Sequence, residues 1–263
     1  MPPEESRNAG REAHPRVDAR ASHETFRGVV NRLIDLDRYP IAEPEAPASR
    51  SLVRRCRDAI RQDGYCRLPA FLTPDATRTM VEQAGPLLRL LNTRVGSVAC
   101  DRLPKDGLLC RLYDWDPLVR FIGAVLGKQA FYRMADPLGA VSINVFTEGG
   151  GHAWHFDESE FTTTIMLQTA ERGGHFECVP RIRPEEGEDY DAVERVLDGR
   201  VESVRRLEFE PGALLIFGGR RSIHRVTTIE GGQPRLVAVL CYGTEPDLTN
   251  SDLVRELFWG RTR

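Results

Sequence analysis

Gly151-His152-Ala153-Trp154-His155-Phe156-Asp157 sits within a long succession of short β-rich stretches that begins near Phe131. In an extended chain residues i and i+2 share a face, so His155 and Asp157 can offer an imidazole and a carboxylate to one ion. Downstream, Ser222-Ile223-His224-Arg225 supplies a third donor on a strand-like run behind the Gly218-Gly219 turn, and Arg235 follows eleven positions after His224. Two imidazoles and one carboxylate form the set that holds Fe(II) on one face and leaves positions open. The pattern points to an oxygen-activating iron site. A lone His-x-Asp would equally fit an ordinary hydrogen-bonded pair, His224 a core histidine and Arg235 a surface arginine; their joint spacing favours the metal.

Working outward, strands are expected at Ala140 to Thr147, Phe161 to Thr169, His175 to Val179, Ala213 to Phe217, Ile223 to Thr228 and Leu236 to Tyr242. Many short strands broken by Gly, Pro and charged turns predict an antiparallel sandwich or jelly roll. A helix at Tyr190 to Leu197 interrupts them, and another at Asp252 to Phe258 closes the chain. Upstream the periodicity becomes helical. Phe26, Val29, Val30, Leu33 and Ile34 predict a helix from Glu24 to Asp37, which the Pro-rich run Pro40 to Pro47 breaks. A second helix covers Ser51 to Gln62, followed by a short strand, Gly64 to Leu68. Thr73-Pro74-Asp75 reads as N-cap, Pro at the first helical position and acidic first turn of a helix to about Leu91. A further helix runs from Asp116 to Leu126 and ends at Gly127.

The expected class is mainly β with flanking helices (α+β) around a jelly-roll, cupin-like core. Residues 1–24 are too polar to offset the entropy of ordering and read as a disordered arm. Residues 25–263 read as one domain: N-terminal helices over 25–130, a jelly-roll core over about 131–245 and a C-terminal helix over 250–259.

With 263 residues and 41% hydrophobic content, the chain can bury one substantial core. A formal charge of -3 argues against a general nucleic-acid binder. Only Lys105 and Lys128 among 36 basic residues are lysine, a bias best assigned to genome composition, so no arginine is read on its own. The six cysteines form no C-x-x-C pair and read as reduced thiols. With no signal-peptide pattern at the start and no apolar run of membrane length, a soluble, cytoplasmic protein is expected.

The stretches WHFDESEFTTTIMLQ (154–168), GGHFECVPRIR (173–183), PGALLIFGGRRSIHRV (211–226) and PRLVAVLCY (234–242) together resemble the iron(II)/2-oxoglutarate-dependent oxygenases of the double-stranded β-helix fold. They look like the branch of free-amino-acid hydroxylases and radical halogenases that includes the lysine halogenases, over roughly residues 60 to 260. The resemblance implies that His155, Asp157 and His224 bind Fe(II) and that Arg235 pairs with the distal carboxylate of 2-oxoglutarate. It also implies O2 as cosubstrate, and succinate and CO2 as co-products. Halogenases of this branch carry Gly or Ala at the carboxylate position, so Asp157 implies hydroxylation of an unactivated C–H bond.

For the substrate, the resemblance places Glu158 at the amine, with Asp136 as a second acidic candidate, Trp259 in the pocket wall and Arg94 at the carboxylate. His152 is a candidate for substrate contact or for support of the metal ligands. Val239 and Cys241 stand where lysine-acting members tend to carry polar side chains, which weakens lysine as the substrate. A free amino acid or small amine-bearing acid is expected. Desaturation or cyclisation on the same site, a non-oxygenase metal enzyme of cupin type and a ligand-binding barrel remain open alternatives, as does a substrate carried on a protein.

Overall fold

The computed structural model describes residues 28, 32–89, 91, 95–201 and 203–263. The expected arm over residues 1–24 and most of the expected helix from Glu24 lie outside them. Where that helix should end, residues 32–39 form turns, and Ile34 bridges to Leu72 instead.

The chain runs α1 (Pro47–Asp63), β1 (Tyr65–Leu68), α2 (Pro74–Leu88), β2 (Val95–Val98), a 3-10 turn, α3 (Leu108–Tyr113), α4 (Asp116–Leu126), β3 (Tyr132–Arg133) and β4 (Val141–Phe146). It continues through β5 (His152–His155), β6 (Thr162–Gln168), β7 (Arg172–Gly173), β8 (Phe176–Val179), α5 (Tyr190–Leu197), β9 (Arg205–Leu207) and β10 (Leu214–Phe217). Last come β11 (Ile223–Val226), β12 (Ile229–Glu230), β13 (Arg235–Leu240), β14 (Tyr242–Gly243) and α6 (Asp252–Trp259). Thr73 caps α2 as its sequence requires, its side chain accepting from the Ala76 amide. Helix α1 starts earlier than expected because Pro47, read as the end of a breaker run, is its first residue.

A six-stranded antiparallel sheet, ordered β1-β10-β6-β13-β4-β2, faces a four-stranded one, β5-β11-β8-β9. Two strands of the larger sheet, β1 and β2, come from the region read as N-terminal helices, so the sheet crosses the boundary placed at residue 131. Alternation explains how the larger sheet serves two purposes. Val141, Ile143 and Val145 of β4, Ile165 and Leu167 of β6, and Leu236, Ala238 and Leu240 of β13 pack in one core with Leu52, Met80, Leu112, Leu118 and Ile122 of the helices. The intervening residues face the smaller sheet. There Met166, Leu215, Phe217 and Val237 join Phe176, Cys178 and Leu207 in a second core. Beside this second core the two sheets part, leaving a cavity of about 320 Å³ lined by Ser142, Asn144, Thr162, Thr164, Val239 and Cys241 among others.

Candidate active site

His155 is the last residue of β5 and His224 the second of β11, and the two are direct antiparallel partners. Pairing puts their rings side by side, with centroids 4.1 Å apart. Asp157 lies two residues beyond the strand, where its amide donates to the Gly219 carbonyl. Its Oδ1 stands 3.6 Å from His155 Nε2 and 3.4 Å from His224 Nε2. Nitrogen and oxygen ligands about 2.0–2.2 Å from a divalent ion sit roughly 3 Å apart on one face. One ligand atom from each of the three residues lies within 4.8 Å of the others, so the donor set fits such an ion.

Both histidines are oriented through their second nitrogen. His155 Nδ1 meets the Ala153 carbonyl at 2.8 Å and His224 Nδ1 meets the Ser222 carbonyl at 2.9 Å. A carbonyl only accepts, so each Nδ1 carries the proton and each Nε2 presents its lone pair to the centre. Phe217 packs edge-on against the His224 ring at 4.9 Å.

Electrostatics suit a cation. Burial, with His224 and His152 nearby, brings His155 down to about 4, so its lone pair is free at neutral pH. Burial alone would push Asp157 up, but the charge and hydrogen bond of His224, with the Thr162 hydroxyl and His155, hold it at about 2. Burial disfavours charge on His224, yet Asp157 raises its affinity for a proton above the ordinary value. The triad therefore stabilises positive charge at its centre.

Two residues that set this geometry escaped the sequence reading. The Thr162 hydroxyl donates to Asp157 Oδ2, leaving Oδ1 for the histidines. Gly219 lets the carboxylate in: a Cβ there would fall 2.2 Å from Asp157 Oδ2 and 2.6 Å from Thr162 Oγ1. Neither carries a motif of its own. Thr162→Val is expected to weaken metal binding about 10- to 100-fold, the usual effect of losing a partner to a ligand, with Thr162→Ser restoring most of it. Titration with Co(II) by absorbance checks this; equal affinities for Val and wild type would remove Thr162 from the site.

Arg235 opens β13 on the cavity face, opposite Phe146, and is 2% exposed. Its guanidinium carbon lies 5.5 Å from the Phe146 ring centroid, and its Nε is buried without a hydrogen-bond partner. Burial lowers its pKa to about 9.

His152, three residues before His155, would face the opposite way in a regular strand. An irregularity in the β5–β11 register, where Val226 pairs with His152, brings it round. Its ring stacks 3.8 Å from that of His155 and edge-on to Phe258 at 6.1 Å. Glu158 and Trp259 also line the cavity, together with Phe258 and Asn250. Glu158 is exposed at the rim, where its Oε2 accepts from the Ser251 amide at 3.4 Å.

Of the substrate candidates, Asp136 is not brought to the cavity. Arg94 lies outside the described residues. Asp136 is fully buried and accepts from the amides of Leu138, Gly139 and Asn250 and from Arg255 Nε. With four donors on its two oxygens, it has no free acceptor for a substrate amine, and no sequence pattern marks this burial.

Residues 92–257 match the profile of a protein family described as Halogenase D. The chain belongs to the Halogenase D family. Its fold is that of the 2-oxoglutarate/Fe(II) oxygenases, with the jelly-roll core expected from the strands. A 2OG-Fe(II) oxygenase family oxidoreductase from Burkholderia pseudomallei superposes with a TM-score of 0.52 at 18% identity, over 74% of this chain and 92% of that one. The α-ketoglutarate-dependent carbocyclase SnoK of nogalamycin biosynthesis reaches 0.60 at 15% identity, over 79% and 92%. HygX from Streptomyces hygroscopicus, solved with nickel and 2-oxoglutarate, reaches 0.57 at 14% identity, over 72% and 86%. At such identities the likeness is one of fold. No curated protein sequence matches the chain. Within the Halogenase D match lie all three donors, Arg235's cavity wall and the first six residues of α6.

Proposed function

We propose that this Halogenase D family member is an Fe(II)/2-oxoglutarate-dependent oxygenase that hydroxylates an unactivated C–H bond of a free amino acid or small amine-bearing acid. The observation that carries the reading is the pairing, across one cavity, of a three-donor metal group with a buried guanidinium that no carboxylate among the described residues neutralises. His155, Asp157 and His224 would hold iron, and Arg235 would hold the distal carboxylate of 2-oxoglutarate through two parallel hydrogen bonds. Iron with 2-oxoglutarate and O2 supplies the oxidising power for C–H cleavage, with succinate and CO2 as co-products.

The protein's own contribution is placement and exclusion of water. Phe146, Phe176, Phe209, Phe217, Val237 and Val239 make most of the cavity wall apolar. Such a wall strengthens the charge interactions inside it. Glu158, at the rim, is the carboxylate available to a substrate ammonium, while His152 and Trp259 bound the same space. Ser142, Asn144, Thr162 and Thr164 offer hydrogen bonds from the larger sheet, so the wall is not uniformly apolar despite Val239 and Cys241.

The family's description raises halogenation as a second reading. Asp157 stands against it, because its carboxylate occupies the third donor position and is fixed there by Thr162.

Residues 25–263 are read as one domain, since β1 and β2 complete the larger sheet. Six free cysteines support a cytoplasmic location. No helix among the described residues is long and apolar enough to cross a membrane.

Purified protein incubated with Fe(II), ascorbate, 2-oxoglutarate and a pool of free amino acids tests the reading. Succinate is expected to rise with one amino acid, together with a product one oxygen atom heavier. Succinate at the level of a metal-free control would overturn the oxygenase assignment; succinate without an oxidised amino acid would overturn the substrate class.

A further inference from the structure

We propose that Asp136 is a positioning residue for substrate: through Asn250 and Arg255 it fixes the C-terminal helix so that Phe258 and Trp259 wall the metal cavity. The proposal rests on reading that cavity as the substrate pocket.

Helix α6 contributes Val254, Leu257, Phe258 and Trp259 to the cavity lining, yet none of its residues is buried. Leu253 and Leu257 are 69% and 73% exposed. Apolar burial scales with area removed from water, so it contributes little to holding this helix in place. Polar anchors take over that task.

The strongest anchor is Asp136. Its side chain has 0% exposure, against 15% for its partner Arg255. Oδ1 accepts from the Leu138 and Gly139 amides, both at 2.8 Å, which fixes the turn leading into β4. Oδ2 accepts from the Asn250 amide at 2.8 Å and from Arg255 Nε at 3.0 Å. One carboxylate thus ties the turn to the residue before the helix cap and to the helix itself. A buried charge-assisted link of this kind is strong when whole and destabilising when one partner is lost.

Gly139 shows how close the two parts lie. A Cβ there would fall 2.1 Å from Asn250 Nδ2 and 2.7 Å from Trp259 Cη2. The turn that Asp136 shapes is therefore the surface on which Trp259 rests. Beyond the helix, Arg261 pairs with Asp101 at 2.7 Å and Arg255 Nη1 donates to the Thr262 carbonyl at 3.1 Å, fastening the tail. At the other end the Ser251 amide reaches Glu158. The helix is clamped at both ends by polar contacts, and its angle decides the width of the cavity beside His152.

Two variants test the proposal without removing Asp136, whose loss could unfold the turn. Arg255→Gln breaks the helix side of the link, and Gly139→Ala pushes Asn250 and Trp259 away while leaving every charge in place. Hydrogen–deuterium exchange over residues 250–260 is expected to accelerate at least about tenfold in both, with the sheet unchanged. In turnover, KM for the amino acid substrate is expected to rise about tenfold while KM for 2-oxoglutarate stays within about twofold. Unchanged exchange in residues 250–260, or faster exchange throughout the sheet, would overturn the positioning role. A rise in the 2-oxoglutarate KM equal to that of substrate would do the same. The exchange experiment needs no turnover, so it decides the helix placement even if wild type fails to oxidise any amino acid, an outcome that would count against the function alone.

Discussion

Asp157→Ala is expected to abolish the proposed hydroxylation while leaving the fold intact. The side chain faces the cavity, where its oxygens meet His155, His224 and Thr162 in the room that Gly219 leaves, and it belongs to none of the hydrophobic cores. Losing a partner to a ligand typically weakens metal binding about 10- to 100-fold, so losing the ligand itself is expected to weaken it by more than about 100-fold. The loss also removes the one negative charge at the centre. His224 is then no longer favoured as a cation, because Asp157 is what outweighs its burial. Co(II) titration and succinate release, read beside circular dichroism, check the result. A variant that binds Co(II) and releases succinate with oxidised product at wild-type levels would sink the three-donor assignment.

The sequence made the larger sheet legible where a strand carries its own signal. In Thr162–Gln168 and Arg235–Leu240 the residues alternate between the helix-covered face and the cavity face, and both faces are apolar enough for the run to stand out. Thr73-Pro74-Asp75 marked the start of α2 because a side-chain cap, a fixed φ and an acidic turn coincide there. Strands β3, β7, β12 and β14 have two residues each and exist only through their partners, so no local pattern announces them. Helix α3 begins at Leu108 behind Gly107, which offers no side-chain cap, so it too carries no local start signal.

The candidate site divides in the same way. His155, Asp157, His224 and Arg235 could be chosen because ligand type and spacing restrict the options. His152 could not be placed, since its orientation depends on the register irregularity between β5 and β11. Asp136 was misread because an acidic residue between Ala135 and Pro137 looks the same whether exposed or fully buried. Gly219 was seen as half of a turn, while its second role, room for a carboxylate, needs the position of Asp157.

Arg235→Met should move stability and cosubstrate binding in opposite directions. The guanidinium is 2% exposed, its Nε lacks a partner, and no ion pair to it occurs among the described residues. An unpaired charge in such surroundings is destabilising; burial alone lowers its pKa to about 9. A methionine keeps the aliphatic bulk against Phe146 and removes the charge, so the variant without 2-oxoglutarate should be more stable by on the order of 1 kcal/mol or more, measured by urea unfolding. Binding should respond the other way. Truncating one partner of a buried hydrogen-bonded charge pair costs about 2–5 kcal/mol, which is roughly 30- to several-thousandfold in affinity for 2-oxoglutarate. Pyruvate, a keto acid without the distal carboxylate, should bind wild type and variant alike, because it never reaches residue 235. Calorimetry on the Co(II)-loaded protein separates these effects. Loss of stability together with unchanged 2-oxoglutarate affinity would mean that Arg235 holds the fold and not the cosubstrate.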